Sequence, residues 1–257
     1  MKVSLSFDVE PDLHSDGFIG ITEGLGKISR ILDKHNVKAT FFTTCDCIEK
    51  YPKIFQQLKS QGHEIASHGY RHVRFDDLTM VEKEESIRKS IEVFNKYLKQ
   101  HPKGFRAAQH SIDEHTAKLL SKYNFKYDSS KTPLNSLQLL FFPKRLKNNL
   151  INFFSNPRKH KIHSLYEIPT SSLGLPFVSI IPRTFPKFLQ KIYMNALPFI
   201  YREAVFYAHS WDFIEIPQSK IDRNFPHTRV IENLDFMIDY LKNNKNHEFF
   251  KMEELVN

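Results

Sequence analysis

Alternating strand-like and amphipathic helical segments predict an α/β protein: an irregular (β/α) barrel of about seven strands, formed as a single domain over residues 1–257. Three observations carry that expectation. Short apolar runs recur along the chain and most are followed by residues at helical spacing, the pattern that builds parallel sheets. The chemistry-bearing residues Asp8, His68, Arg106, Asp128 and His209 fall at the C-terminal ends of those runs, where barrels of this kind carry their sites. With 257 residues, 40% of them apolar, and no repeat, low-complexity tract or Gly/Ser linker, the chain suits one continuous core.

Val3, Leu5 and Phe7 alternate with polar residues and mark a first strand ending at Asp8. Leu25, Ile28, Ile31 and Leu32 follow helical spacing, and Val37 to Thr43 returns to strand character. Pro52 suits the first turn of the next helix, which Gly62 stops before a strand at His63 to Ser67. A capping box at Thr79 and Glu82 opens a long helix with the stripe Ile87, Ile91, Phe94 and Leu98. Ser111 with Glu114 reads as a second such box. Further strands are expected at Phe105-Arg106, Phe125 to Asp128, Leu165 to Ile168 and Ala204 to His209, with a final helix bearing Ile231, Leu234, Ile238 and Leu241.

The alternation of the first eight residues is unlike the continuous apolar centre of a signal peptide, and no apolar run reaches the roughly 18 residues of a membrane span. Cys45 and Cys47, two apart on an expected strand end, point to opposite faces and resist a disulfide. Together these favour a cytoplasmic protein, peripheral at the inner membrane face.

Ser67-His68-Gly69-Tyr70-Arg71-His72 places two histidines four apart after a strand, and on a helical turn that spacing suits one divalent metal. Such a pair alone is more often surface chemistry. The acidic run Asp8-Val9-Glu10-Pro11-Asp12 leaving the first strand adds carboxylates able to supply both an oxygen ligand and a base, although alone it would read as a solvated loop.

The set Ser6-Phe7-Asp8-Val9-Glu10, Ala39-Thr40-Phe41-Phe42, Gly62-His63-Glu64-Ile65-Ala66-Ser67-His68 through His72, Gly104-Phe105-Arg106-Ala107, Tyr127-Asp128-Ser129-Ser130 and Phe206-Tyr207-Ala208-His209-Ser210-Trp211 resembles, in order and spacing, the polysaccharide deacetylase family (NodB homology, carbohydrate esterase family four). The resemblance implies a metal-dependent carbohydrate N-deacetylase, a hydrolase acting on linear amide bonds, with an N-acetylated amino sugar in a glycan or lipid-linked glycoconjugate as substrate. It implies a divalent metal, commonly zinc in this family, held by His68 and His72, and Asp8 as catalytic base. Many members carry a third ligand Asp directly after the base. Val9 stands there, so Glu10 is the replacement and Asp12 its competitor. By the same resemblance His209 is the general acid, Arg106 holds the base's charge, and Asp128 orients or charge-pairs with the catalytic histidine. Ala107-Ala108 replaces the usual Ala-Pro, and the usual tryptophan downstream of Asp128 is missing. A backbone N–H near Tyr70 is the expected partner of the oxyanion. His110 reads as a polar residue before a helix cap in preference to a substrate contact.

The net charge of +8 is uneven. Residues 129–202 hold eleven Lys or Arg and one acid, Glu167, with eleven Phe or Tyr residues including Phe141, Phe142, Phe153 and Phe154. This stretch reads equally as a surface for an anionic membrane or phosphate-bearing carrier and as barrel core with a solvated basic face, to which Phe177 and Phe185 belong. The alternatives for function are a deformylase or allantoinase-like amidase on the same scaffold, or a non-catalytic carbohydrate- or nucleic-acid-binding protein. Nucleic acid draws support from the basic stretch alone, without zinc-finger spacing or a phosphate-binding loop.

Overall fold

The computed structural model describes residues 1–12, 17–136, 146–216, 219–244 and 246–256; His14, Phe141 and Phe142 lie outside them. The strands are β1 (Lys2–Val9), β2 (Thr40–Thr43), β3 (Glu64–Ser67), β4 (Gly104–Phe105), β5 (Tyr127–Asp128), β6 (His160–Ile162), β7 (Leu165–Glu167), β8 (Glu203–His209) and β9 (Glu248–Phe249). The helices are α1 (Leu25–Lys34), α2 (Cys45–Lys50), α3 (Pro52–Ser60), α4 (Met80–Val93), α5 (Glu114–Lys122), α6 (Leu146–Phe153), α7 (Ile180–Thr184), α8 (Lys187–Ala196), α9 (Lys220–Asn224) and α10 (His227–Asn243).

All nine strands join one sheet in the order β6-β7-β5-β4-β3-β2-β1-β8, with β9 pairing β1. The pairings are parallel except the β6–β7 hairpin, which forms one edge. Between β7 and β8 the chain has no ladder. There Ile168 N–H bonds to Asp128 O, Ser171 N–H to Val205 O, and Tyr207 N–H to Phe177 O, stitching an irregular segment across the gap. The expected irregular barrel is present, with more strands than the predicted seven. The additions, β6 and β9, are two or three residues long and too short to show a period.

Alternation along β1 sets the layers. Val3, Leu5, Phe7 and Val9 pack outward into the main cluster with Ile28 and Leu32 of α1 and Leu234 and Ile238 of α10. Ser4, Ser6, Asp8 and Glu10 take the opposite face and are buried as well. A smaller apolar cluster of Phe42, Ala66, Tyr127, Val205, Met252 and Leu255 unites residues of β2, β3, β5 and β8 with the C-terminal segment.

Several local expectations differ. The Thr79–Glu82 capping box forms, but α5 is capped by Asp113, whose carboxylate accepts from Thr116 N–H at 2.8 Å. Ser111 instead accepts from Phe75 N–H at 2.9 Å. Cys45 and Cys47 lie in the first turn of α2, not on a strand end, as buried free thiols. Residues 68–72 form bends outside any helix, so the two histidines are not on a helical turn.

Candidate metal and catalytic site

Parallel register delivers the chemistry to one end of the barrel. Asp8 is the Cα partner of His209 on β8, and Ser67, just before His68, is the partner of Phe105, just before Arg106. His68 leaves β3 by a turn at Gly69, whose φ of +88° is the left-handed region a side chain disfavours; a Cβ there would lie 3.1 Å from the Phe75 ring. That turn brings the imidazoles of His68 and His72 to 5.5 Å between centroids.

Glu10 Oε2 lies 3.3 Å from His68 Nε2 and 2.7 Å from His72 Nε2. Neither Glu10 Oε2 nor His68 Nε2 makes a well-formed hydrogen bond, although both atoms are buried. The three ligand atoms fall within 4.8 Å of one another. His68 Nδ1 donates to Arg106 O at 2.8 Å, which fixes the tautomer and leaves Nε2 as a lone pair facing the cluster. Two imidazoles and a carboxylate whose facing atoms crowd one another, with Glu10 Oε2 and His68 Nε2 buried and making no well-formed hydrogen bond, are a donor set that fits a divalent cation. Asp12 takes no part: its Oδ2 and Oδ1 accept the N–H groups of Ile19 and Gly20 at 2.6 and 2.8 Å. Val9, buried on the other face of β1, cannot reach the cluster.

Asp8 stands beside these groups, its Oδ2 3.7 Å from His68 Nε2. Its other oxygen is 2.7 Å from Arg106 Nη1. Arg106, fully buried, is itself held by Ser6 Oγ at 3.0 Å, Ser129 Oγ at 2.9 Å and Ser129 O at 2.9 Å, with Phe42 4.1 Å below its guanidinium. Burial alone would push the Asp8 carboxyl up; the charges of Arg106, His68 and His209 outweigh it and hold Asp8 below the usual carboxylate range. Burial likewise opposes charge on Glu10, whose contacts with His68 and His72 hold it well below that range.

His209, ending β8, sits on the far side of Glu10, 3.7 Å from Oε1. Its ring stacks on Trp211 at 4.0 Å, and Trp211 Nε1 lies 3.3 Å from Glu10 Oε1. Nε2 meets the Tyr207 hydroxyl at 2.7 Å and Nδ1 faces Asp212 Oδ2 at 3.5 Å. Burial would lower the His209 pKa, but the Asp212, Glu10 and Asp8 carboxylates raise it above its ordinary value.

Asp128 is not the partner of His209. Its oxygens accept from Ser130 Oγ at 2.6 Å and Ser130 N–H at 3.0 Å, and its strand partner is Glu167. Burial, and for Glu167 the neighbouring Asp128, push both carboxyls up from the usual carboxylate range. Near the expected oxyanion partner, the Tyr70 N–H bonds to Ser86 Oγ at 3.3 Å and the Gly69 N–H to Ser67 Oγ at 3.2 Å. Sequence reading missed Asp212, Tyr207 and Trp211. The signal for Asp212 was the His-x-x-Asp spacing of a capping box, which forms here with Asp212 accepting the His209 N–H.

A barrel with a His-His-Glu cluster able to hold a divalent cation, a buried Asp–Arg pair and a carboxylate-held histidine at its strand C-termini has the groups that metal-assisted hydrolysis requires. Residues 1–127, about half of the chain, match the family model described as polysaccharide deacetylase, the family whose motifs the sequence resembles. It is similar to the peptidoglycan-N-acetylglucosamine deacetylase of Bacillus cereus, 34% identical over 124 residues, 48% of this chain and 42% of that protein. It is also similar to the peptidoglycan deacetylase of Helicobacter pylori, 29% identical over 120 residues, 47% of this chain and 41% of that protein. The match thus spans about two fifths of these relatives. A Mycobacterium smegmatis structure described as a polysaccharide deacetylase shares the fold, with a TM-score of 0.75 at 19% identity over 99% of this chain and 88% of that one.

Proposed function

We propose that this protein is a divalent-metal-dependent hydrolase that removes the N-acetyl group from an amino sugar in a glycan. The observation that carries the reading is the convergence of Glu10, His68 and His72 between the Asp8–Arg106 pair and the His209–Asp212 pair. Glu10 Oε2, His68 Nε2 and the His72 imidazole would hold the ion, zinc by the family's habit. When bound, such an ion polarises the acyl carbonyl and acidifies water.

Asp8, kept anionic by Arg106, accepts the proton of the attacking water. The Arg106 ion pair also fixes the direction in which the carboxylate points, because Ser6 and Ser129 leave the guanidinium no freedom. His209 delivers a proton to the departing amine from Nε2, with Asp212 stabilising the imidazolium. Tyr207 holds Nε2 until substrate arrives. Trp211 fixes the plane of the ring.

The B. cereus relative acts, by its name, on N-acetylglucosamine in peptidoglycan, which supports an acetylated amino sugar here. An anionic membrane surface or phosphate-bearing carrier is proposed as a further partner on the strength of the basic segment 129–202.

The test is release of free amine from N-acetylated against N-formylated glucosamine oligomers by zinc-loaded protein. The acetylated oligomer should be cleaved, and Asp8→Asn and His209→Ala should each lose about 10²- to 10⁴-fold with metal content unchanged. Preference for the formylated oligomer would instead favour the deformylase reading, and no release from either would remove the hydrolase reading.

A further inference from the structure

Behind the His209–Asp212 pair stands a second buried arginine. Arg183 projects from α7 and is 4% exposed, although it belongs to the basic segment 129–202. Its Nη2 donates to Asp212 Oδ1 at 3.2 Å and to Asp212 O at 2.9 Å, so one nitrogen holds both the carboxylate and the backbone that carries it. Its Nη1 donates to Asp222 Oδ1 and, at 3.3 Å, to Phe225 O. Asp222 Oδ2 accepts the Ile216 N–H at 3.1 Å, which anchors the far end of the network. The base of the arginine is fixed as well: Asn233 Nδ2 of α10 donates to Pro182 O at 2.7 Å, and Ile181 packs in the main core.

A buried arginine between carboxylates adds little net stability, because desolvating the charges offsets most of their attraction. What its planar fork supplies is direction. With Asp212 Oδ1 taken by Arg183, Oδ2 is left to the His209 N–H at 2.9 Å and to Nδ1 at 3.5 Å. Burial would push the Asp212 carboxyl up, but His209 and Arg183 hold it below the usual carboxylate range, so the oxygen facing the imidazole is anionic. Arg106 holds Asp8 directly, whereas Arg183 holds the carboxylate behind His209.

We propose that Arg183 is a positioning residue for the deacetylation, acting through Asp212 to hold the His209 imidazole with Nε2 toward the departing amine, an assignment that rests on the hydrolase reading above. It lies beyond residues 1–127, the part of the chain that the family model matches.

The experiment measures kcat and KM of zinc-loaded wild type, Arg183→Gln, Asp212→Asn and the double variant. The substrates are acetylated glucosamine oligomers, whose amine needs a proton to leave, and 4-nitrophenyl acetate, whose leaving group does not. Arg183→Gln should lower the oligomer kcat about 10- to 10²-fold with KM within about twofold, and turnover of the small ester should fall far less. The double variant should be no slower than Asp212→Asn alone, because the two residues act as one unit. Losses that multiply in the double variant, an equal fall on both substrates, or an oligomer kcat within about threefold of wild type would each overturn the assignment. Arg183→Lys keeps the buried charge without the fork and carries the test if the glutamine variant does not fold: its oligomer kcat should fall about tenfold, and a wild-type value overturns the assignment equally. Absence of oligomer turnover in the wild type would instead remove the hydrolase reading, so the two failures are distinguishable.

Discussion

Asp212 Oδ2 faces the His209 imidazole at Nδ1, 3.5 Å away, and accepts the His209 backbone N–H at 2.9 Å. Asp212 is in turn held by Arg183, whose Nη2 lies 3.2 Å from Oδ1 and 2.9 Å from its carbonyl oxygen. The acid of the proposed reaction is therefore oriented from its own strand end by a residue three positions on, not from β5.

Asp212→Asn keeps an acceptor for the His209 N–H but removes the charge that favours the imidazolium. Its kcat on acetylated glucosamine oligomers should fall about 10²-fold, whereas 4-nitrophenyl acetate, whose leaving group departs without a proton, should be affected far less. Asp128→Asn, which touches neither His209 nor the donor cluster, should keep its kcat on the same oligomers within about threefold, inside the scatter of substitutions remote from the chemistry. Equal losses in the two variants would return the orienting role to Asp128.

The metal site separates its two rival carboxylates. His68→Ala and Glu10→Gln should each release zinc on dialysis and lose activity, measured by elemental analysis and turnover. Asp12→Asn should keep its zinc, because Asp12 is spent on the N–H groups of Ile19 and Gly20. It should instead destabilise the protein by about 1 kcal/mol, the usual effect of weakening hydrogen bonds from backbone N–H groups to a buried carboxylate. Retention of zinc by Glu10→Gln with loss from Asp12→Asn would reverse the assignment.

The site was legible in the sequence because strand register assembles it: Asp8 and His68 each end or follow a run whose period is visible, and parallel pairing through β2 brings those ends together. The count of strands was less legible, since β6 and β9 span only three and two residues and carry almost no periodic signal. Asp128 was misplaced for a different reason. A carboxylate at a strand end has two neighbours, and sequence does not say that Glu167 on β7 occupies one of them. Tyr207 and Asp212 were overlooked because they act within two or three residues of His209, where side-chain direction and not spacing decides the contact.

Residues 129–202 are neither all surface nor all core. Phe177, Tyr193, Tyr201 and Arg183 are buried, whereas Phe154, Phe188, Ile192 and Phe199 stand exposed, and Phe185 packs partly against the core. Each exposed Lys or Arg near an anionic bilayer contributes about 1 kcal/mol, so the basic charge together with Phe188 and Ile192 on α8 should bring the protein up with anionic liposomes in flotation. Phe188→Ser with Ile192→Ser should reduce recovery several-fold. Equal recovery with neutral vesicles would remove the membrane as a partner.

Glu64, at the start of β3, gives the fold a pH dependence remote from the site. Its carboxyl accepts from Tyr127 OH at 2.7 Å, Thr40 Oγ1 at 2.8 Å and Glu253 N–H at 2.9 Å, yet burial and the charge of Glu253 push it from 4.5 up to about 7. An acid whose pKa is higher folded than unfolded stabilises the fold while protonated. That contribution is full below about 4.5, declines through the interval and is lost above about 7, a change of about 3 kcal/mol. Glu64→Gln, which stays neutral, lacks this loss. Urea denaturation of both proteins from pH 4.5 to 8 should show the variant gaining about 3 kcal/mol on wild type as pH rises. Parallel stability curves would show that Glu64 titrates as an ordinary carboxylate.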